Sequence, residues 1–326
     1  MRHTALSHTS IFYVIILLLY IVLIYAGLMI NGDSIELVKF GDVSNDSLLR
    51  QIIFEIRMPR IIMAILIGML LASSGAVTQT IFSNPIADPY IMGIASAATF
   101  GAVLAYMLKL PDLYFGVVGF FCCVCFAMLI FRISRRLSIA TLLIIGIAIS
   151  SFLGAITSFG MYYIGEDSFK ITAWLMGYLG LASWYKVAIL CIPLMVCLVY
   201  FYLYRHELNI ILSGDDEARN LGVDSMKLKR NMLIAVSLGV AFGVTFSGLI
   251  GFVGLIIPHI VRLCIKNFDN ALVIPLSTLL GGAFLLFSDL LARLVLAPVE
   301  IPIGVVTAIF GSPVFLYLAL QSRRFL

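Results

Sequence analysis

Residues 57–93 read RMPRIIMAILIGMLLASSGAVTQTIFSNPIADPYIMG. Arg57 and Arg60, three positions apart, open an apolar helix about long enough to cross a bilayer. Gly68, Ala72, Ser73, Ser74, Gly75 and Ala76 line its second half, small side chains that let helix backbones approach closely in lipid. The turn formers N-P-x-A-D-P at 84–89 close it. Charge at one mouth, small residues along the shaft and a rigid turn at the far mouth point to a gated membrane protein.

The rest of the chain supports that reading. Its 326 residues are 62% hydrophobic and only 12% charged, with a mean hydropathy of +1.11. A soluble domain carries roughly 25% charged residues. The apolar residues lie in blocks of about 20, which cross about 30 Å of hydrocarbon at 1.5 Å per residue. Long runs of Leu, Ile, Gly and Ala without alternation exclude a transmembrane barrel. The expected fold class is therefore an all-α integral membrane protein. All six cysteines fall inside apolar segments and are expected to be buried structural thiols.

Ten spans are predicted, at about residues 11–30, 58–82, 91–108, 113–131, 138–161, 184–204, 231–250, 252–265, 271–292 and 303–321. The first exceeds the apolar run of a cleavable signal and is expected to stay as an uncleaved helix. The polar stretch 31–55 has room for a short amphipathic helix, and a short apolar piece lies at 171–181. The eighth span is too short to cross straight, so a broken or re-entrant element is expected there.

An even count puts both termini on one side, and the distribution of charge says which. Of the 21 Lys and Arg residues, 13 fall on the side of the termini and 8 on the other, so the termini are predicted to be cytoplasmic. The formal net charge of +4 matters less than this distribution. A faint internal repeat accompanies it: Ser74-Gly75 precedes Pro85, and Ser247-Gly248 precedes Pro258, at the same spacing. With an odd number of crossings between them, any repeat would be inverted in the membrane, as in many transporters.

Several residues stand out, each with a plainer alternative. Arg57 and Arg60 share a helix face at i and i+3, and Arg293 ends the ninth span at the same outer surface. Three outward arginines suit docking of carboxylates from an extracytoplasmic partner. The alternatives are snorkelling at a helix end and, for Arg293, an ion pair with Asp289 four residues earlier. The segment Ser213–Arg230 is the longest polar loop on the cytoplasmic side. Ser213 is expected to cap a short helix with Asp215, Asp216 and Glu217 in its first turn, which Leu221-Gly222 ends. Ala218 and Leu221 on one face would suit a groove on a peripheral protein, and a solvated connector remains the alternative. Asp88 reads as a turn former or cap. Residues 138–141 would serve as a narrow gate or as a tight turn. His259, with no second histidine in register, reads as structural and not as a metal ligand.

No G-x-x-x-x-G-K-[ST] is present, so the chain does not hold its own P-loop nucleotide. No protease-like H-E-x-x-H occurs, and acidic residues are almost absent from the spans. A secondary carrier or intramembrane enzyme would need such groups. An importer driven by separate ATPases would not.

The ordered motifs R-M-P-R, G-x-L-L-A-x-S-G-A-x-x-Q and N-P-x-A-D-P-Y-I-M-G resemble the FecCD-type permeases of iron-siderophore, haem and cobalamin ABC importers. So do S-G-x-I-G-F-V-G-L-I-I-P-H-I-V-R at 247–262, the arginine motif ending at 293, and E-I-P-I-G-V-V-T-A-I-F-G-S-P-V-F at 300–315. The resemblance covers the chain from about residue 50. It implies a type II ABC importer permease fold of about ten helices with inverted-repeat character, formed by 1–326 as a single permease domain with a cytoplasmic coupling loop at about 205–230. It implies a dimer with a second permease copy or paralogue, two cytoplasmic ATPase subunits and an extracytoplasmic substrate-binding protein, in a bacterial inner (cytoplasmic) membrane. ATP and Mg would sit on the ATPases, with no cofactor, metal or catalytic residue on this chain. Arg57, Arg60 and Arg293 match the family's docking arginines; Gly214, Glu217, Ala218, Leu221 and Gly222 its ATPase coupling helix; Ser138 and Thr141 its cytoplasmic gate. The implied function is ATP-driven import of an iron chelate, ferric siderophore before haem or cobalamin. The alternative is a zinc- or manganese-type ABC permease, against which the R-M-P-R and N-P-x-A-D-P motifs argue.

Overall fold

In lipid every backbone N–H needs a partner inside its own segment or a neighbouring one, so apolar blocks without alternation become helices. The computed structural model describes residues 2–30, 47–111, 114–133 and 139–322. Its helices are α1 (Arg2–Met29), α2 (Ser47–Gln51), α3 (Met58–Ile81), α4 (Ile94–Met107), α5 (Tyr114–Ile133), α6 (Ile139–Ile164) and α7 (Ser168–Leu175). There follow α8 (Trp184–Leu203), α9 (Arg205–Leu212), α10 (Asp215–Asn220), α11 (Ser225–Ser247), α12 (Val253–Ile265), α13 (Asn270–Leu294) and α14 (Ile303–Ser322). Among the described residues 7 helical stretches are long and apolar enough to cross a membrane, and α4, α12 and α14 are shorter apolar helices. Together they account for the ten predicted spans, and the chain is a multi-pass membrane protein.

Several boundaries differ from expectation. The span predicted at 91–108 is divided: Pro89–Met92 forms a 3-10 turn, and Gly93 at φ 79° breaks the backbone before α4. The span predicted from about 231 begins at Ser225, because Asp224 caps α11 by accepting from the Lys227 N–H at 3.0 Å. Of the stretch 31–55, residues 31–46 lie outside the described residues. Ser47–Gln51 is α2, and Ile52–Arg57 is a π-helical turn running into α3. The thiols are not all buried: Cys125, Cys191 and Cys264 are exposed on helix surfaces.

The centre of the bundle is α3. It is buried on nearly every side, against α13, α12, α8 and α11. Pro59 is tolerated because it sits in the first turn, where its missing N–H would have no helical partner. Glycine sets the approach of the neighbours. A Cβ on Gly68 would fall 2.3 Å from the Gly281 carbonyl oxygen of α13, and one on Gly75 1.8 Å from that of Gly254 in α12.

The expected broken element is present. At 1.5 Å per residue α12 spans about 20 Å, short of the roughly 30 Å hydrocarbon. Before it the chain leaves helical geometry at Gly248 (φ 71°) and Phe252 (φ 68°). Three irregular segments satisfy one another there. Leu249 N donates to Leu175 O at 3.2 Å, Tyr178 N to Ser247 O at 2.9 Å, Ile303 N to Gly177 O at 3.1 Å and Gly304 N to Met176 O at 3.0 Å. Such backbone survives at membrane depth where protein or a cavity surrounds it. A cavity of about 720 Å³ lies beside it, lined by Leu249, Phe252, Val305, Ala308 and Ser312 among others.

The equal spacing of the two Ser-Gly…Pro triplets does not give equal local structure. Ser74-Gly75 lies inside α3 and Pro85 in the turn after it, whereas Ser247-Gly248 ends α11 and Pro258 lies within α12.

Candidate functional site

Because α13 runs antiparallel to α3, the two helices meet in polar clusters at both ends of the bundle. At the first, Arg60 Nε donates to Asp289 Oδ1 at 2.9 Å, and its Nη1 and Nη2 donate to the two oxygens of Glu300 at 2.7 and 3.1 Å. Arg293 Nε stands 3.2 Å from the other oxygen of Asp289, the i,i+4 ion pair that the spacing allowed. Arg57 Nη1 donates to the Leu28 carbonyl at the end of α1 at 2.6 Å. The Tyr178 ring lies 6.0 Å from the Arg60 guanidinium, within cation–π range.

The structure thus brings all three predicted arginines together, and it also closes them in. The side chains of Arg60 and Arg293 are 9% and 11% exposed, Asp289 is fully buried, and Glu300 is 32% exposed. Arg57, Arg60 and Arg293 against Asp289 and Glu300 leave a net charge of +1. Among the described residues, buried Nη2 of Arg293 has no hydrogen-bond partner. Glu300 lies on the loop before α14 and closes Arg60 from that side.

At the opposite end, α9 and α10 form the predicted polar segment. Its capping differs from expectation: Ser213 terminates α9, and Gly214 at φ 116° precedes α10 with no side-chain cap. Glycine is required there by backbone angle, since a Cβ would meet nothing within 4 Å. Gly222 at φ 79° ends the turn after Leu221, as expected. Ala218 and Leu221 do not share an outward face: Ala218 is fully buried and Leu221 is 63% exposed. Asp215, Asp216, Glu217, Leu221 and Gly222 form the outward surface instead. Lys229 of α11 holds Asp215 at 2.6 Å, and that hydrogen bond keeps the Asp215 carboxyl below its usual range.

Asp88 is the cap the sequence allowed, accepting from Tyr90 N at 2.7 Å. Burial pushes its carboxyl up to about 6. Thr141 is half-buried in the first turn of α6, while Ser138 lies outside the described residues. Both ring nitrogens of His259 lack hydrogen-bond partners among the described residues. Among the described residues no three His, Cys, Asp or Glu side chains gather as a metal site requires.

Four polar contacts between helices have no counterpart in the sequence motifs. Gln79 donates to Leu255 O at 2.8 Å and accepts from Arg262. Thr80 donates to Asn270 at 3.0 Å, which in turn donates to Asn209 at 2.9 Å. An amide inside an apolar span was the available signal.

The sequence profile of the FecCD transport family matches residues 8–321. The chain belongs to that family. Among similar proteins, the cobalamin import system permease protein BtuC of Halobacterium salinarum is 40% identical over 281 residues, 84% of this chain and 74% of the relative. A protein of Helicobacter pylori named as a probable iron chelatin transport system permease is 33% identical over 310 residues, 91% and 94% of the two chains. In structure, this FecCD permease superposes with a TM-score of 0.86 and 31% identity on a metal-chelate type ABC transporter in an inward-facing conformation, covering 96% of this chain and 99% of the other. The fold class expected from the motifs is therefore present, and the zinc- or manganese-type alternative is not favoured.

Proposed function

We propose that this FecCD permease imports a metal chelate, ferric siderophore before haem or cobalamin, across a bacterial cytoplasmic membrane with both termini in the cytoplasm. The observation that carries the reading is the polarity of the bundle. An arginine cluster occupies one end, a short helix with an acidic first turn the other, and an apolar cavity lies beside the broken element. The named cargoes of the cobalamin and iron-chelatin relatives support the substrate class.

In this reading the whole chain is one permease unit that pairs with a second copy or paralogue. The exposed apolar residues Ile309, Leu316 and Tyr317 on α14 suit such a partner. A substrate-binding protein presents carboxylates to Arg57, Arg60 and Arg293, taking the place of Glu300 on Arg60. Two ATPase subunits seat on Gly214, Glu217, Leu221 and Gly222, with Ala218 anchoring the turn from within, and carry ATP and Mg themselves. ATP binding draws the two ATPases together, the coupling segments move, and the gate around Ser138 and Thr141 alternates with the outer mouth. The permease changes no covalent bond. Its wall is apolar so that the chelate passes without sticking.

Arg57, though buried and held to the Leu28 carbonyl, is the residue on which to test docking, because Arg60 and Arg293 hold Asp289 in the fold. With the binding protein and ATPase present, Arg57→Glu should abolish uptake of ferric siderophore into liposomes while the complex stays assembled. Reversing the facing glutamate of the binding protein to arginine should restore it. Uptake unchanged by Arg57→Glu would return this arginine to a helix-end anchor.

A further inference from the structure

We propose that Asn209 and Asn270 are positioning residues that carry movement of the coupling segment into α3 and, through Gln79 and Arg262, into the half-helix α12. The inference rests on the assignment above of α10 and its flanking glycines, which follow directly on α9, as the ATPase contact.

The hydrogen bonds form two runs, one ending on Thr80 and the other starting at Gln79, which are consecutive residues of α3. Asn209, on α9, uses both halves of its amide. Its Nδ2 donates to Asp269 Oδ1 at 2.7 Å, and its Oδ1 accepts from the backbone N and the Nδ2 of Asn270 at 2.8 and 2.9 Å. Asp269 is itself fixed as the cap of α13, accepting from Ala271 N at 2.9 Å. Asn270 is fully buried, and its Oδ1 lies 3.0 Å from Thr80 Oγ1, whose one proton it shares with the Ala76 carbonyl at 2.9 Å. The neighbouring Gln79 donates to Leu255 O at 2.8 Å and accepts from Arg262, whose Nη2 also donates to Ala76 O at 3.3 Å. Four elements, α9, α13, α3 and α12, are thereby joined through side-chain amides.

Apolar contact alone would let α9 slide. Leu208 and Ile211 bury its inner face against α3 and α13, and such packing is non-directional. The Asn209–Asn270 pair fixes register as well as proximity. Breaking one link strands a buried polar group, so the cluster is expected to shift as a unit. A second tie from the coupling segment, Lys229 to Asp215, ends on a carboxylate that is 61% exposed and is correspondingly weak. Beyond Arg262 the route reaches α12, which follows directly on the irregular segment lining the cavity.

The test is hydrogen–deuterium exchange on the assembled permease–ATPase complex, with and without a non-hydrolysable ATP analogue. In the wild type the analogue should change exchange at 205–222 and also at 76–87 and 253–266. In Asn209→Leu the change should persist at 205–222 and fall roughly 5-fold or more at the distant segments, the lower end of ordinary coupling between sites. Thr80→Val keeps side-chain shape and removes only the hydroxyl, so it should give the same loss at 76–87 even if Asn209→Leu fails to assemble. A nucleotide response in these variants equal to wild type, with or without lowered thermal stability, would overturn the proposal by making the amides merely structural. Absence of any ATPase from the purified wild-type complex would instead remove the proposed function, and this inference with it.

Discussion

At the scale of single residues, the arginine cluster separates fold from function by burial. Asp289 is fully buried between Arg60 and Arg293. Asp289→Ala leaves the buried Arg293 guanidinium without its carboxylate and Arg60 with Glu300 alone, and should cost about 3–5 kcal/mol, read as thermal unfolding of the detergent-solubilised permease. Glu300 is partly exposed and holds Arg60 from the loop side. Glu300→Gln should cost less than about 1 kcal/mol by the same measurement. If docking displaces Glu300, the variant should also bind the substrate-binding protein several-fold more tightly; equal or weaker binding would count against displacement. Asp88 gives a pH signature. Its carboxyl is raised from 3.8 to about 6 by burial, so between those values the folded chain holds more proton than the unfolded one. Stability should therefore fall as pH rises through that window and level off above it. Asp88→Asn, which can still accept from Tyr90 N, should flatten that part of the profile. Arg57, Arg60 and Arg293 were legible as a group from the motifs that carry them. Their closure by Glu300 was not, because Arg60 and Glu300 lie 240 positions apart and only the packing of α3 on α13 joins them.

At the scale of elements, close packing around α3 makes the sharpest prediction. The Gly254 carbonyl that a Cβ on Gly75 would strike is backbone, which cannot turn aside. Gly75→Ala should destabilise by about 1–3 kcal/mol, measured as loss of thermal stability. The coupling turn predicts the opposite pattern. Leu221 is 63% exposed, so Leu221→Asp should leave stability within about 0.5 kcal/mol while weakening ATPase capture in a pull-down at least tenfold. The long helices and the short α12 were readable because lipid thickness turns run length into structure. The division at Gly93, the π-helical turn before Arg57 and the cap at Gly214 were not. Each depends on backbone angles that composition does not specify. Leu221 was paired with Ala218 by helical spacing, but the turn ends at Asn220, and only tertiary contact decides which of the two faces inward.

At the scale of the whole molecule, α3 and α13 form an antiparallel pair with ionic contacts at one end and amide contacts at the other. Between them lies little but apolar and small-residue packing, so a displacement at either end has stiff helices to act through. The family's overall plan was visible in ordered motifs spread along the chain, whereas the amide series joining α9 to α12 was visible only in three dimensions. In the proposed function the permease lets a chelate move inward at the expense of ATP hydrolysed on the cytoplasmic side. The direct measurement uses liposomes holding the permease and its ATPases, with binding protein and ferric siderophore outside and ATP either enclosed or added outside. Uptake should require enclosed ATP in the vesicles whose ATPases face the lumen, and it should stop when hydrolysis is blocked. Accumulation that proceeds equally without nucleotide, or loss of preloaded chelate driven by ATP, would contradict the account.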